Sequence, residues 1–353
     1  MLPRSAAPAV LAAAAALSLA APAAAPAKPH HRDVTVMTRN FYLGADLIPL
    51  ATQPTLDAFE QAAATRFQTV LSNDFHVRAK GLAAGIAKAK PDLVGIQEGA
   101  IWKQGSTSAP SPATHVVYDS IKLVRRALKA RGLHYKVAAK RPWFDFEAPT
   151  SLGYDVRLIQ QDVILKRVGK GSHVKIRHRF TGGYAKTFDV PTQVGVVRSD
   201  RGWVGVDAAL GKRRFRFVTT HLEAYSPEIA QTQMQQLLQG PLHAKKRQTI
   251  LVGDFNSDPK DVSGDRGAQR APSAYGAAID AGFANPFPRR ETCCFAEDLH
   301  DTSTPLTQWI DHIIVRPKMK LLRSGIVGSK PSERVGGLWP SDHAGIYGTL
   351  RLR

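Results

Sequence analysis

The sequence predicts an α/β protein, and three observations carry that prediction. Runs of strand character end in polar residues: residues 33–38 lead into Arg39-Asn40, Asp92–Ile96 into Gln97-Glu98, and Thr249–Val252 into Gly253-Asp254-Phe255-Asn256. Between the first two runs, Phe75, Ala79, Leu82, Ile86 and Ala89 recur at helical spacing, and Pro91 closes that helix. Strand, helix, strand with a polar residue at each strand tip is α/β organisation.

The N-terminus is set apart. Met1-Leu2-Pro3-Arg4 is a short basic start, residues 9–25 are almost wholly Ala, Leu and Val, and Ala25-Pro26-Ala27 offers an A-x-A cleavage site. Residues 1–27 are expected to be a secretory signal peptide and 28–353 one exported domain. The rival is an uncleaved anchor, for which an apolar run of roughly 17 residues is short. No later segment is apolar for long enough to cross a bilayer. The 48 Lys and Arg against 29 Asp and Glu give a net charge of +19, and cleavage after Ala27 removes only Arg4. Such an excess favours anionic partners: nucleic acid, phosphorylated small molecules or anionic lipid surfaces. Solubility is the plainer explanation.

Residues 104–114 are rich in Ser, Pro and Thr and read as a loop. A helix follows over 117–131, with Ile121, Val124 and Leu128 inward and Gly132 stopping it. From 133 to 220 short strands form a meander. Its basic run, His173 to Arg179, alternates Val174 and Ile176 with Lys175, Arg177 and Arg179. An edge strand with a solvated face explains it, and a phosphate-facing surface is the sharper reading. The strand Arg214–Thr220 leads into His221-Leu222-Glu223. Ser226-Pro227-Glu228 starts a helix that Gly240-Pro241 ends. After a polar stretch from Asp258 to Arg270 come a short helix over 274–281, a strand over 309–315 carrying Asp311, and Ser341-Asp342-His343 before a last strand, 345–350. The two cysteines, Cys293 and Cys294, are neighbours, so no long loop is stapled.

Eight polar residues fall at expected strand ends: Asn40, Glu98, His221, Asp254, Asn256, Asp311, Asp342 and His343. Any one alone is a cap or a solvated tip. Together they suggest one site at the rim of packed sheets, where carboxylates and a carboxamide hold a hard cation or a nucleophilic water against an anionic ester.

The order Asn40, Gln97-Glu98, Thr220-His221-Leu222, Gly253-Asp254-Phe255-Asn256, Asp311, Ser341-Asp342-His343 resembles the endonuclease/exonuclease/phosphatase superfamily. That group includes pancreatic-type deoxyribonuclease, abasic-site endonucleases, inositol-polyphosphate phosphatases and bacterial sphingomyelinases. The resemblance covers residues 33 to 350. It implies a four-layer α/β sandwich, two packed mixed β-sheets flanked by helices, and a Mg²⁺-dependent phosphoric ester hydrolase, with Mn²⁺ or Ca²⁺ as alternatives. It also implies roles. Glu98 is the metal ligand, with Asn40 beside it and Asp342 next to the metal or the phosphate. Asp254 and Asn256 orient the attacking water and phosphoryl oxygens. His343 is the general base held by Asp311, and His221 stabilises charge on the phosphoryl oxygen. The family's partner for the catalytic His leaves Asp155 and Asp162 both open. Glu223 reads as a solvated loop residue, and Cys293-Cys294 has no role to carry over.

Three functions follow. A secreted nuclease leads, because a basic chain suits a polyanion. A sphingomyelinase-like phospholipase C is second, with membrane-meeting aromatics sought at Trp102, Trp143-Phe144 and Phe283–Phe287. A non-catalytic binding protein on the same fold is third. The substrate is an anionic phosphoester, nucleic acid ahead of phospholipid, and the chain is expected to be a monomer with no stable protein partner.

Overall fold

A computed structural model describes residues 32–107, 111–169, 171–262 and 273–353. The expected signal peptide and the later part of the polar stretch before Arg270 lie outside them. No described helix is long and apolar enough to cross a membrane.

In chain order, β1 (Asp33–Asn40) precedes a helical turn, Ile48–Thr52, and two helices, α1 (Leu56–Ser72) and α2 (Phe75–Ala89). Next come β2 (Leu93–Gly105), β3 (His115–Asp119) and α3 (Ser120–Ala130), then β4 (His134–Ala148) and β5 (Asp155–Val168). β6 (Val174–Gly183), β7 (Phe188–Thr192), β8 (Gly195–Ser199), β9 (Gly202–Leu210) and β10 (Arg213–His221) complete the meander. The rest is α4 (Pro227–Gln239), β11 (Thr249–Asp254), α5 (Ala274–Asp280), β12 (Asp311–Arg316), β13 (Lys320–Val327) and β14 (Gly345–Arg351).

The predicted helix over 75–89 matches α2, whose N-cap Asp74 accepts from the backbone N–H groups of His76 and Val77. The helix expected over 117–131 is shorter, because residues 115–119 pair with β2 as β3. α1 and β13 were not anticipated.

Two mixed sheets result. One has seven strands, ordered β13-β14-β1-β2-β5-β4 with β3 on the extension of β2; the other is ordered β12-β11-β10-β9-β6. The basic strand β6 is an edge, as its alternation predicts. Alternating side chains then sort into layers. Val34, Val36, Leu93 and Ile164 of the first sheet meet Val204, Phe217, Ile250 and Ile313 of the second in a shared core. Outer faces pack on α1, α2 and α3 in one case and on α4 and α5 in the other. This is the four-layer sandwich. The sheets approach so closely that a Cβ at Gly95 would lie 2.5 Å from a Val252 methyl. Beside that contact, Gln97 crosses the interior: its Nε2 donates to Thr219 Oγ1 (2.7 Å) and its Oε1 accepts from Thr38 (3.2 Å). β7 and β8 form a separate hairpin.

Candidate active site

Register gathers the polar residues at one end of the sheets. Asn40, His221 and Asp254 are the last residues of β1, β10 and β11. β10 and β11 are parallel with His221 opposite Asp254, and antiparallel β12 opens with Asp311 opposite Asp254 from the other side. Glu98 arrives by another route. It is not at a strand end but at a bulge inside β2, where the pairing with β5 jumps from Ile96↔Val163 to Gly99↔Gln161. Two residues, Gln97 and Glu98, thus oppose Asp162 alone, and Glu98 turns out of the strand at φ 55°. Asn256 also departs from strand geometry, at φ 47°. Its N–H donates to Asp254 Oδ1 (3.0 Å) and its Nδ2 to the Leu222 carbonyl (2.9 Å), tying the ends of β11 and β10.

Asp342 and His343 sit on the loop before β14. Ser341 fastens that loop by donating to the Asn40 carbonyl (2.9 Å), and Arg39 donates to the His343 carbonyl. Asp311 Oδ2 accepts from His343 Nδ1 at 2.8 Å, which leaves Nε2 facing Asp254 Oδ2 at 3.7 Å. His221 Nε2 lies 3.7 Å from that same oxygen and 4.0 Å from Glu98 Oε1. Glu98, His221, Asp254, Asn256, Asp342 and His343 line one cavity; Asn40 and Asp311 stand fully buried behind it.

The two histidines are opposites. Burial, then Arg201 and His343, hold the His221 imidazole well below its ordinary pKa, so it is neutral. Arg201 Nη1 lies 2.8 Å from His221 Nδ1, and a guanidinium only donates. The same Nη1 lies 3.2 Å from Nε2, so Nδ1 is the nearer acceptor and the tautomer with its hydrogen on Nε2 is the one that suits it. For His343 burial opposes the charged form, but Asp311, Asp342 and Asp254 outweigh it and raise its pKa well above the ordinary value.

A family model described as the Endonuclease/Exonuclease/phosphatase family matches residues 70–343. The chain belongs to this family. It is a metal-dependent phosphoric ester hydrolase. The fold likeness extends to solved structures. An endonuclease/exonuclease/phosphatase family protein from Bacteroides thetaiotaomicron matches at TM-score 0.55 and 16% identity, over 91% of this chain and 98% of the other. A mannosyl-6-phosphatase from the same organism matches at 0.54 and 17%, over 90% and 99%. TDP2 from D. rerio, complexed with single strand DNA product, matches at 0.51 and 17%, over 90% and 99%. No curated protein matches the chain.

The residues fit the divalent cation that the family uses. Burial, with Asp311 adding, pushes the Asp254 carboxyl up to about 7. Asp342 is pushed to about 6 by burial, His343 pulling it back and Glu98 raising it. Carboxyls crowded in this way carry a surplus of negative charge, and an oxygen-rich donor set is what a hard cation takes. Asn40 contributes by position: its Nδ2 spans Glu98 Oε1 (2.9 Å) and Asp254 Oδ2 (3.1 Å), while its Oδ1 accepts from the Tyr42 N–H (2.8 Å). The Leu43 N–H holds Glu98 Oε2 at 2.8 Å. Asp254, Asp311 and His343 also offer ligand atoms within 4.8 Å of one another.

Several expectations need correction. Neither Asp155 nor Asp162 hydrogen-bonds His221; Arg201 holds that ring. Asp162 is buried opposite the bulge, bonded to Trp143 Nε1 (3.1 Å), and burial raises its pKa to about 8. Glu223 is not solvated: it is 1% exposed and accepts from Ser199 Oγ and from the N–H groups of Ala224 and Tyr225. Trp102, Phe283 and Phe287 are core rather than membrane-facing. The cysteines pair with each other, with Cys293 Sγ 3.6 Å from His343 Nε2.

Sequence reasoning also missed Arg78. It lies on α2 among apolar neighbours, fully buried, and donates to the carbonyls of Phe41, Tyr42 (3.0 Å) and Pro340 (3.2 Å), fixing two loops of the site. An Arg in the apolar stripe was the available signal. The cavity itself, 360 Å³, runs from the catalytic groups into an apolar chamber. Its walls are the turn Ile48–Thr52, Phe144 and Phe146 of β4, and the β7–β8 hairpin with Phe188, Val190 and Val197. Gln193 Nε2 at the hairpin tip donates to the Gln53 carbonyl (2.9 Å), joining two of these walls.

Proposed function

We propose that this enzyme hydrolyses phosphodiesters, nucleic acid first, by in-line attack of a water held between His343 and Asp254. The observation that carries the reading is the pairing of His343 Nε2 with Asp254 Oδ2, 3.7 Å apart, with Asp311 behind the imidazole. A water between them is oriented by both, and His343 takes its proton at Nε2. Asp311 keeps Nδ1 protonated and stabilises the imidazolium that forms. Opposite, a neutral His221 with its hydrogen on Nε2 donates to the phosphoryl oxygen as charge develops there. Glu98, Asp254 and Asp342 would hold the cation, Mg²⁺ by preference; when bound, it neutralises phosphoryl charge and offsets the negative surplus that now favours the His343 imidazolium. We further propose that the chain acts outside the cell, on the strength of residues 1–27.

Nucleic acid is supported by the basic charge, by the fold neighbour complexed with single strand DNA product, and by aromatic walls on which an unpaired base can stack. A phospholipase C-type reading has its own support. Leu43, Leu47, Ile48, Val190 and Val197 make the chamber aliphatic as well as aromatic, and Val194, Val196 and Tyr225 are exposed on the hairpin and the adjoining loop. The test is a panel of DNA, RNA, choline-lipid vesicles and nitrophenyl phosphoesters, with Mg²⁺ and with EDTA. Metal-dependent cleavage of nucleic acid is the expected result. Cleavage of vesicles alone would transfer the assignment to the lipase, and monoesters alone would make it a phosphatase. No hydrolysis anywhere would leave the binding protein.

A further inference from the structure

A cluster of the charge that made the sequence look like a polyanion binder lies away from the catalytic mouth. β1 runs from Asp33 to Asn40, so its start lies roughly 25 Å from its catalytic end. β14 returns antiparallel, pairing Arg351 with Asp33, and β13 pairs Lys320 with Arg351. At this far end Arg32, Lys318, Lys320, Arg351 and Arg353 line a cleft of 510 Å³ floored by Met319 and Leu352, and no carboxylate side chain is among its lining residues. The second sheet repeats the pattern. Lys212–Arg214 and Lys245–Arg247 lead into β10 and β11 at the ends remote from His221 and Asp254.

Acids at this pole are already matched. Asp33 is held by Arg351 (2.9 Å), Asp92 by Arg167 (2.7 Å), and Asp207 by Arg216 (2.8 Å) and Arg247 (3.1 Å). The mouth is the reverse, with Asp46, Glu98, Asp254 and Asp342 against Arg201 in its lining. We propose that the basic pole is a second binding surface, separate from the catalytic mouth, which docks the phosphate backbone of a nucleic-acid strand. Solubility alone does not require cations to collect at one end of both sheets. A bilayer would ask for apolar anchors beside the cations. Of the large exposed apolar side chains, Val194, Val196 and Tyr225 belong to the mouth, and among the described strands reaching the basic pole only β13 carries one, Leu322. Docking here holds a polymer to the protein without passing it through the acidic mouth.

The test is binding of a labelled single-stranded oligodeoxynucleotide in EDTA, so that the result does not depend on whether the chain is a phosphodiesterase. Lys318→Glu/Lys320→Glu is compared with Arg126→Glu/Lys129→Glu, an equal charge change on the exposed face of α3. The polar pair should weaken binding on the order of tenfold at low salt and lower the salt slope by about 1.4, two contacts at roughly 0.7 each. The α3 pair should bind as wild type, and all three should share one thermal midpoint. Equal loss in both double variants, no loss in the polar pair, or preference for anionic vesicles over the oligonucleotide would each overturn the proposal. If a changed midpoint shows Lys318→Glu/Lys320→Glu to be misfolded, Arg32→Glu with the same readout decides.

Discussion

The floor and the walls of the catalytic cavity are built on different terms. The floor, from Asn40 to His343, stands on strand ends, a bulge of β2 and the loop before β14, and its side chains are cross-tied at 2.8 to 3.1 Å. The walls are a helical turn, part of β4 and a free-standing hairpin, joined at the rim through Gln193 and Gln53. The floor buries charge and holds it rigidly, as chemistry on an ester phosphorus requires. The walls present apolar surface, most of it on segments outside the two large sheets that can vary without disturbing them, as selection among esters requires. The difference teaches that reaction type is fixed by the sheet framework and substrate by what was added around it.

That division can be broken by substitution. Asp254→Ala should cut kcat by about 1000-fold on every substrate, since it removes a group that orients the water and helps hold the cation. A loss confined to one substrate would erase the distinction between floor and wall. Phe146→Ala should instead lower kcat/KM about tenfold on the ester whose apolar or aromatic part fills the chamber, because a buried Phe is worth roughly 1.5–3 kcal/mol. A small polar phosphodiester should be cleaved as before; equal loss on both would make Phe146 part of the floor.

The smallest effect concerns stability. Asp258, two residues beyond Asn256, is held by both Nη atoms of Arg289 (2.8 Å each) and accepts from the Trp309 N–H (2.9 Å), clamping β11 to the approach to β12. Burial raises its pKa, but these bonds win and lower it to about 2. A carboxyl depressed in the folded state adds stability above its unfolded pKa and loses it as pH falls through the folded value. Melting temperature should therefore drop between about pH 4 and pH 2. Asp258→Asn should cost about 2 kcal/mol at neutral pH and flatten that acid limb, as followed by circular dichroism. An unchanged limb would remove the clamp.

What the sequence revealed follows the same boundary. Asn40, His221 and Asp254 were legible because an apolar strand that ends in a polar residue is a local pattern, and Asp311 because it stands near the start of an apolar run. Glu98 was named, but its bulge was not, since that depends on pairing with Asp162 across another strand. Arg201 was invisible: its meaning comes from the His221 ring, not from its neighbours in the chain. α1 was missed because Ala58, Ala62, Ala63 and Ala64 surround Phe59 and blur the contrast between its faces. In β13 a bulge between Leu321 and Arg323 breaks the alternation. Net charge was read correctly as a quantity, yet only the fold shows which cations gather at the remote strand ends.

The central claim is that one imidazole, oriented by Asp311, removes the proton from the attacking water whatever ester is bound. Its most direct test is the single-turnover rate of His343→Ala with Mg²⁺, measured on each substrate that the wild type cleaves. A fall of about 100-fold or more on all of them is predicted. A rate near wild type on any one would contradict it.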